Sequence, residues 1–166
     1  MMTSQPRSGL REWLTKLSAL GLFCAMPIGI VHASPASAPR AYCAKVVNDD
    51  RVRPVPSSLG PAIKRLFNIG GAYALQTTSY RCADGKVMLC NVGANLACGK
   101  ANLSKSLPGA TAWCKDNPNS DFIPMAATGH DTIYAWRCAN GIAVTGASIS
   151  QVDARGFFVD NWKRLP

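Results

Sequence analysis

His130 and Asp131 stand side by side, and together they are the residues of this chain most like a general base with the carboxylate that orients it. After residue 33 no other histidine remains, so a hydrolase would have to be built around His130. On a strand, neighbouring side chains point to opposite faces, which keeps such a pair from meeting. The expectation is a loop histidine, with Asp131 bonding local backbone. Other routes to catalysis are poorly supplied. The segment 34–166 contains no Glu, so a two-carboxylate glycosidase would have to draw on Asp alone. No Gly-x-Ser-x-Gly elbow presents a serine nucleophile. A hydrolase using His130 therefore stands only as an alternative, and no catalytic residue is assigned.

The sulfur chemistry says more. Arg7, Arg11 and Lys16 precede the uncharged apolar run Ser18–Val31, and small residues follow it, the pattern of an export signal over 1–33 with cleavage after Ala33 or Ala36. The run is short for a membrane span. Beyond the signal, Cys43, Cys82, Cys90, Cys98, Cys114 and Cys138 make an even set, which in an exported chain reads as three disulfides. Oxidation removes any free thiol nucleophile. There is no Cys-x-x-Cys, so neither a zinc site nor haem attachment is expected, and no metal or other cofactor is assigned.

Recognition chemistry is better represented. Residues 34–166 carry fifteen Lys and Arg against eight Asp, a net charge of about +7 that selects anionic partners. For an exported bacterial protein, periplasmic or secreted, these are an envelope lipid, a glycan or an acidic protein. The basic residues are dispersed and match no nucleic-acid motif, which argues against nucleic acid. Tyr134 and Trp136 are candidate anchors, with Arg81 and Arg137 beside them for anions.

Those residues need a scaffold, and "RCADG" at 81–85 recurs as "RCANG" at 137–141. Asp-Gly and Asn-Gly suit a two-residue type I′ turn, so each copy is a β-hairpin. Pairing outward from the first turn sets Cys82 opposite Val87, Arg81 opposite Met88, Tyr80 opposite Leu89 and Ser79 opposite Cys90. Tyr80, Cys82, Val87 and Leu89 share the apolar face, and Cys90 lies on the other, so Cys82 should not be bridged to Cys90. In the second copy Trp136, Cys138, Ala143 and Thr145 take the apolar face. Arg81 and Arg137 fall on the reverse faces, both expected exposed. A duplicated unit and convergence on good turn chemistry are both open.

Elsewhere, residues 34–42 read as a flexible leader ahead of one disulfide-bonded domain, 43–166. Residues 51–60 read as extended. A short amphipathic helix starts at Pro61, with Ala62, Ile63, Leu66 and Phe67 on one face, and ends at Gly70-Gly71. A short helix is expected near 110–115, and a strand around Phe157–Val159. The fold class is α+β, β-rich: a small disulfide-stabilised domain with two β-hairpins and a short N-terminal helix.

"YRCADGKVMLC" and "TGHDTIYAWRCANG" resemble the opening strand and the loop-plus-strand segment of the bacterial periplasmic C-type lysozyme inhibitors. The resemblance covers about two dozen residues. It implies a hydrolase inhibitor, with Thr128 at the position of the family's loop serine. The function expected overall is an exported non-enzymatic binding protein with a basic surface, recognising an anionic envelope component or protein through Arg81, Arg137, Trp136, Tyr134, Thr128 and His130.

Overall fold

The computed structural model describes residues 37–93 and 96–166, so the export signal read over 1–33 lies outside the described residues. Along the chain come α1 (Ser37–Val46), β1 (Asp49–Pro54), a 3-10 turn (Ser57–Leu59), α2 (Gly60–Phe67), α3 (Gly71–Thr77), β2 (Thr78–Ala83) and β3 (Lys86–Asn91). Then follow α4 (Pro108–Asp116), α5 (Met125–Thr128), β4 (Tyr134–Ala139), β5 (Ile142–Ser148) and β6 (Lys163–Arg164). One antiparallel sheet has the order β1-β2-β3-β6, and β4 and β5 form a second. The fold is α+β and is stapled by three disulfides.

Four local expectations are corrected. The stretch 51–60, read as extended, is a strand only to Pro54 and becomes the 3-10 turn at Ser57–Leu59. The leader read as flexible over 34–42 is helical from Ser37: Pro39 sits in the first turn of α1, where a missing N–H costs nothing, and Cys43 is fully buried on the helix. The helix begun by Pro61 is thus the second, and it stops before the glycines. Asn68 takes the left-handed conformation at φ 56° and returns its N–H to the Lys64 carbonyl. The strand expected at Phe157–Val159 is absent. Phe157 and Phe158 make only isolated bridges to Lys100 and Val152, because Asp153 to Gly156 turns the chain back on itself; the pairing comes later, in β6.

The hairpins form as the turn chemistry requires. Asp84 and Gly85 have φ 51° and 72°, Asn140 and Gly141 have φ 51° and 79°. The first register is the expected one, and the second pairs Ala139 with Ile142, Cys138 with Ala143, Arg137 with Val144 and Trp136 with Thr145.

The likeness of the two halves extends well past their tips. In each, a helix cysteine is bridged to the hairpin cysteine two residues before the turn, Cys43 to Cys82 and Cys114 to Cys138. Four residues after the helix cysteine, the carbonyl of Val47 or Pro118 accepts the turn-glycine N–H, at 2.8 Å from Gly85 and 2.9 Å from Gly141. The next residue is Asn48 or Asn119, whose side-chain oxygen accepts the N–H of Asp84 at 3.0 Å or of Asn140 at 3.1 Å. The residue after that meets the bridged hairpin cysteine: Asp49 pairs with Cys82 in β1, and the Ser120 carbonyl accepts the Cys138 N–H at 2.7 Å. A proline, Pro56 or Pro124, then opens a short helical turn. Turn preference explains the tips, but not a shared helix, bridge and asparagine; the chain contains this helix–bridge–hairpin arrangement twice, with a strand, β1, between helix and hairpin only in the first copy. The first copy alone inserts α2 and α3 before its hairpin.

Each copy has its own core. Leu59, Ile63, Val87 and Leu89 pack about the first bridge; Leu107, Ala110, Ile123 and Trp136 pack about the second. Burying Ile63 and Leu89, both 0% exposed, contributes about 1.5–3 kcal/mol each. A third cluster joins Cys90 to Phe157 and Trp162 of the C-terminal segment, which crosses the reverse face of the first hairpin as a strap.

Candidate functional site

Strand alternation puts one arginine on the reverse face of each hairpin, directly before the bridged cysteine. In the first copy the strap covers that face. Arg81, expected exposed, is only 2% exposed, a correction with a clear cause. Its guanidinium lies 4.0 Å from the Phe157 ring centre and 4.9 Å from that of Trp162, and Nη2 donates to the Asp153 carboxylate. Burial pushes the Asp153 carboxyl upward, but N–H donation from Phe157 and Arg155 and the Arg81 contact outweigh it, holding the group below its ordinary value. The Asp153 side chain also organises the strap, accepting the N–H of Arg155 at 2.9 Å and of Phe157 at 3.0 Å. Asp50, the residue after the partner of Cys82, bonds Arg155 and, at 2.7 Å, Lys100. The strap therefore reads an Asp50/Arg81 pair with its own Arg155/Asp153 pair.

The second copy carries the same pair uncovered. Arg137 matches Arg81, and Asp121, directly after Ser120, matches Asp50; both are exposed, and neither enters an ion pair among the described residues. Ala135, Ile142 and Gly146, on the same sheet, are exposed too. Beside this face runs a groove of about 230 Å³, lined among others by Asp121, Phe122, Met125, Ala135 and Ile149. Phe122 is 66% exposed, Ile149 64% and Ile142 66%. Large side chains left this wet are the kind of apolar surface that marks interaction sites.

Four of the residues singled out from sequence, Thr128, His130, Tyr134 and Trp136, line this same groove. Two are not the surface groups expected. Trp136 is 5% exposed and belongs to the core, its indole N–H donating to Thr132 Oγ1 at 3.0 Å. Thr128, assigned a loop position by the family resemblance, is 7% exposed at the end of α5, its hydroxyl turned to the Gly129 carbonyl at 3.2 Å. Tyr134 is half-buried, with Lys105 Nζ 5.8 Å from its ring centre. His130 is exposed, and the Asp131 carboxylate lies over Gly129, 2.9 Å from where a Cβ there would stand. Phe122, Met125 and Ile149 were missed by sequence reasoning. The signal for Phe122 was a large aromatic after the polar run "NPNSD", in a stretch otherwise read only as loop.

A second concavity of about 440 Å³ lies along the strap, where Lys86 and Arg164 are offset by Asp84 and Asp153. Among the described residues no three His, Cys, Asp or Glu side chains converge as a metal site, and no helix is long and apolar enough to cross a membrane. Comparison of the chain with protein-family models, with curated proteins and with solved structures returns no match.

Proposed function

We propose that the protein is an exported, non-catalytic binding module that engages an anionic partner through the outer face of its second copy. The carrying observation is Arg137: an exposed guanidinium that enters no ion pair among the described residues, on a face flanked by exposed Phe122, Ile142 and Ile149. A cation in that setting gives orientation and on-rate, and the apolar groups around it give contact area. The net positive charge of residues 34–166 favours the same sign of partner. Three disulfides in a small domain fit an oxidising compartment, in keeping with export. The solvent position of His130, with the Asp131 carboxylate turned to Gly129 rather than to the imidazole, supports binding over hydrolysis.

The test is retention of the oxidised domain, residues 37–166, on acidic-protein, acidic-polysaccharide and anionic-lipid supports. Retention on at least one should fall as salt rises, and Arg137→Glu should weaken it more than Lys45→Glu, on α1 of the other copy. Salt-independent behaviour, or equal loss in both variants, removes the proposal.

A further inference from the structure

The first copy shows what fills such a face. There the occupant is a turn of the chain itself, Asp153-Ala154-Arg155-Gly156-Phe157, whose carboxylate meets Arg81, whose arginine meets Asp50 and whose aromatic ring stacks on the Arg81 guanidinium. The second copy displays the corresponding Arg137 and Asp121 with no strap over them. The C-terminal segment cannot serve both faces at once, because its hold on the first is extensive: β6 pairs with β3, Asn161 donates to the Ala97 carbonyl at 2.9 Å, and Phe157 is 1% exposed.

We infer that the outer face of the second copy is a receptor for a turn-forming peptide segment of another protein, one carrying a carboxylate with an aromatic residue about four positions later. This rests on the binding-module reading and narrows its partner to the protein class. The carboxylate seats on Arg137 as Asp153 seats on Arg81. The aromatic ring covers the guanidinium and takes the apolar surface of Phe122, Val144 and Ile149. A basic residue between them answers Asp121, as Arg155 answers Asp50. Charge complementarity favours this occupant over a lipid or glycan surface, since those supply anions but neither the cation for Asp121 nor the ring for the guanidinium.

The probe is the strap sequence itself, supplied in trans as a synthetic peptide of residues 151–162 and titrated to millimolar concentration into the isotope-labelled oxidised domain. Saturable amide shifts should centre on Ala135, Arg137 and Val144. Arg137→Glu should weaken binding at least about tenfold, as should a peptide with Asp153→Lys. Absence of shifts on β4 and β5, shifts indifferent to Arg137→Glu, or shifts confined to the Arg81 face would each overturn the inference. A concentration-dependent dimer formed by exchanging straps would also overturn it, the occupant then being a second copy. Anionic vesicles and an acidic polysaccharide are run in parallel. If they perturb Arg137 while the peptide does not, the binding-module reading stands and the peptide inference alone falls; if no probe touches that face, both fall.

Discussion

The Arg81–Asp153 contact predicts an asymmetry between two substitutions that remove the same ion pair. Asp153→Asn keeps an acceptor for the N–H groups of Arg155 and Phe157 but deletes the charge opposite a guanidinium that is 2% exposed. A buried charge stripped of its partner costs about 3–5 kcal/mol. With a urea slope of about 1.5 kcal/mol/M for a domain of this size, the unfolding midpoint should drop by about 2–3 M. Arg81→Met instead takes the charge out of the interior. The thioether stays against Phe157 and Trp162, and Asp153, 30% exposed on its side chain, returns to water. That exchange should cost under about 1.5 kcal/mol, and the double variant should match Arg81→Met alone. The assay is equilibrium urea unfolding of the oxidised domain, followed by tryptophan fluorescence. Should Asp153→Asn prove no more costly than Arg81→Met, the guanidinium does not depend on Asp153 and the account of the strap as an electrostatic latch is wrong.

Removing the bridges pairwise by Cys→Ser should destabilise in the order Cys43–Cys82, Cys114–Cys138, Cys90–Cys98, whose sequence separations are 39, 24 and 8. Loop-closure entropy assigns them about 3.9, 3.5 and 2.5 kcal/mol, to be read from the same urea curves. Gly109→Ala places a Cβ against the Ala127 backbone carbonyl, and should cost about 1–3 kcal/mol by forcing α4 and α5 apart; Thr111→Ala, two residues on and exposed, serves as the mild comparison. Stability should be level from about pH 7 to 5 and fall below about pH 4. Asp49, hydrogen-bonded by Arg53 and then Tyr42, and Asp50, bonded chiefly by Arg155, are held below the ordinary carboxylate range, as is Asp153. Lowered folded-state values stabilise while the unfolded chain is ionised too, and that contribution drains away as protonation reaches the folded carboxylates. Asp50→Asn should flatten the acid limb of a pH series of unfolding midpoints.

Much of the scaffold was legible because it rests on short-range chemistry. Asp84-Gly85 and Asn140-Gly141 carry positive φ at both turn positions, and once the turn is fixed, strand alternation fixes which face every neighbour takes. That step alone separated Cys82 from Cys90, which are bridged to Cys43 and Cys98. The helix start at Pro61 was legible for the same reason, whereas its end at Asn68 was not: asparagine competes with glycine for the left-handed position, and the nearby glycine pair was the louder signal. The duplicated unit was half visible. Its turns repeat in sequence, but Asn48 and Asn119, which brace them, are recognisable only once their side-chain oxygens are seen on the turn amides.

The site divides along the same line. Thr128, His130, Tyr134 and Trp136 were chosen for their types, and they do line one groove, yet Trp136 and Thr128 are withdrawn into it. Local sequence gave Arg81 and Arg137 the same prospects, each between an aromatic residue and Cys-Ala, on the reverse face of its own hairpin. What separated them was where a segment some seventy residues from Arg81 came to rest, since Asp153 lies 72 positions along the chain from it. Turn geometry is settled among near neighbours and the oxidised state of the cysteines by their even number, so both could be read directly. Whether an arginine ends in water or beneath two aromatic rings is a long-range balance of desolvation, stacking and charge, and only the folded chain decides it.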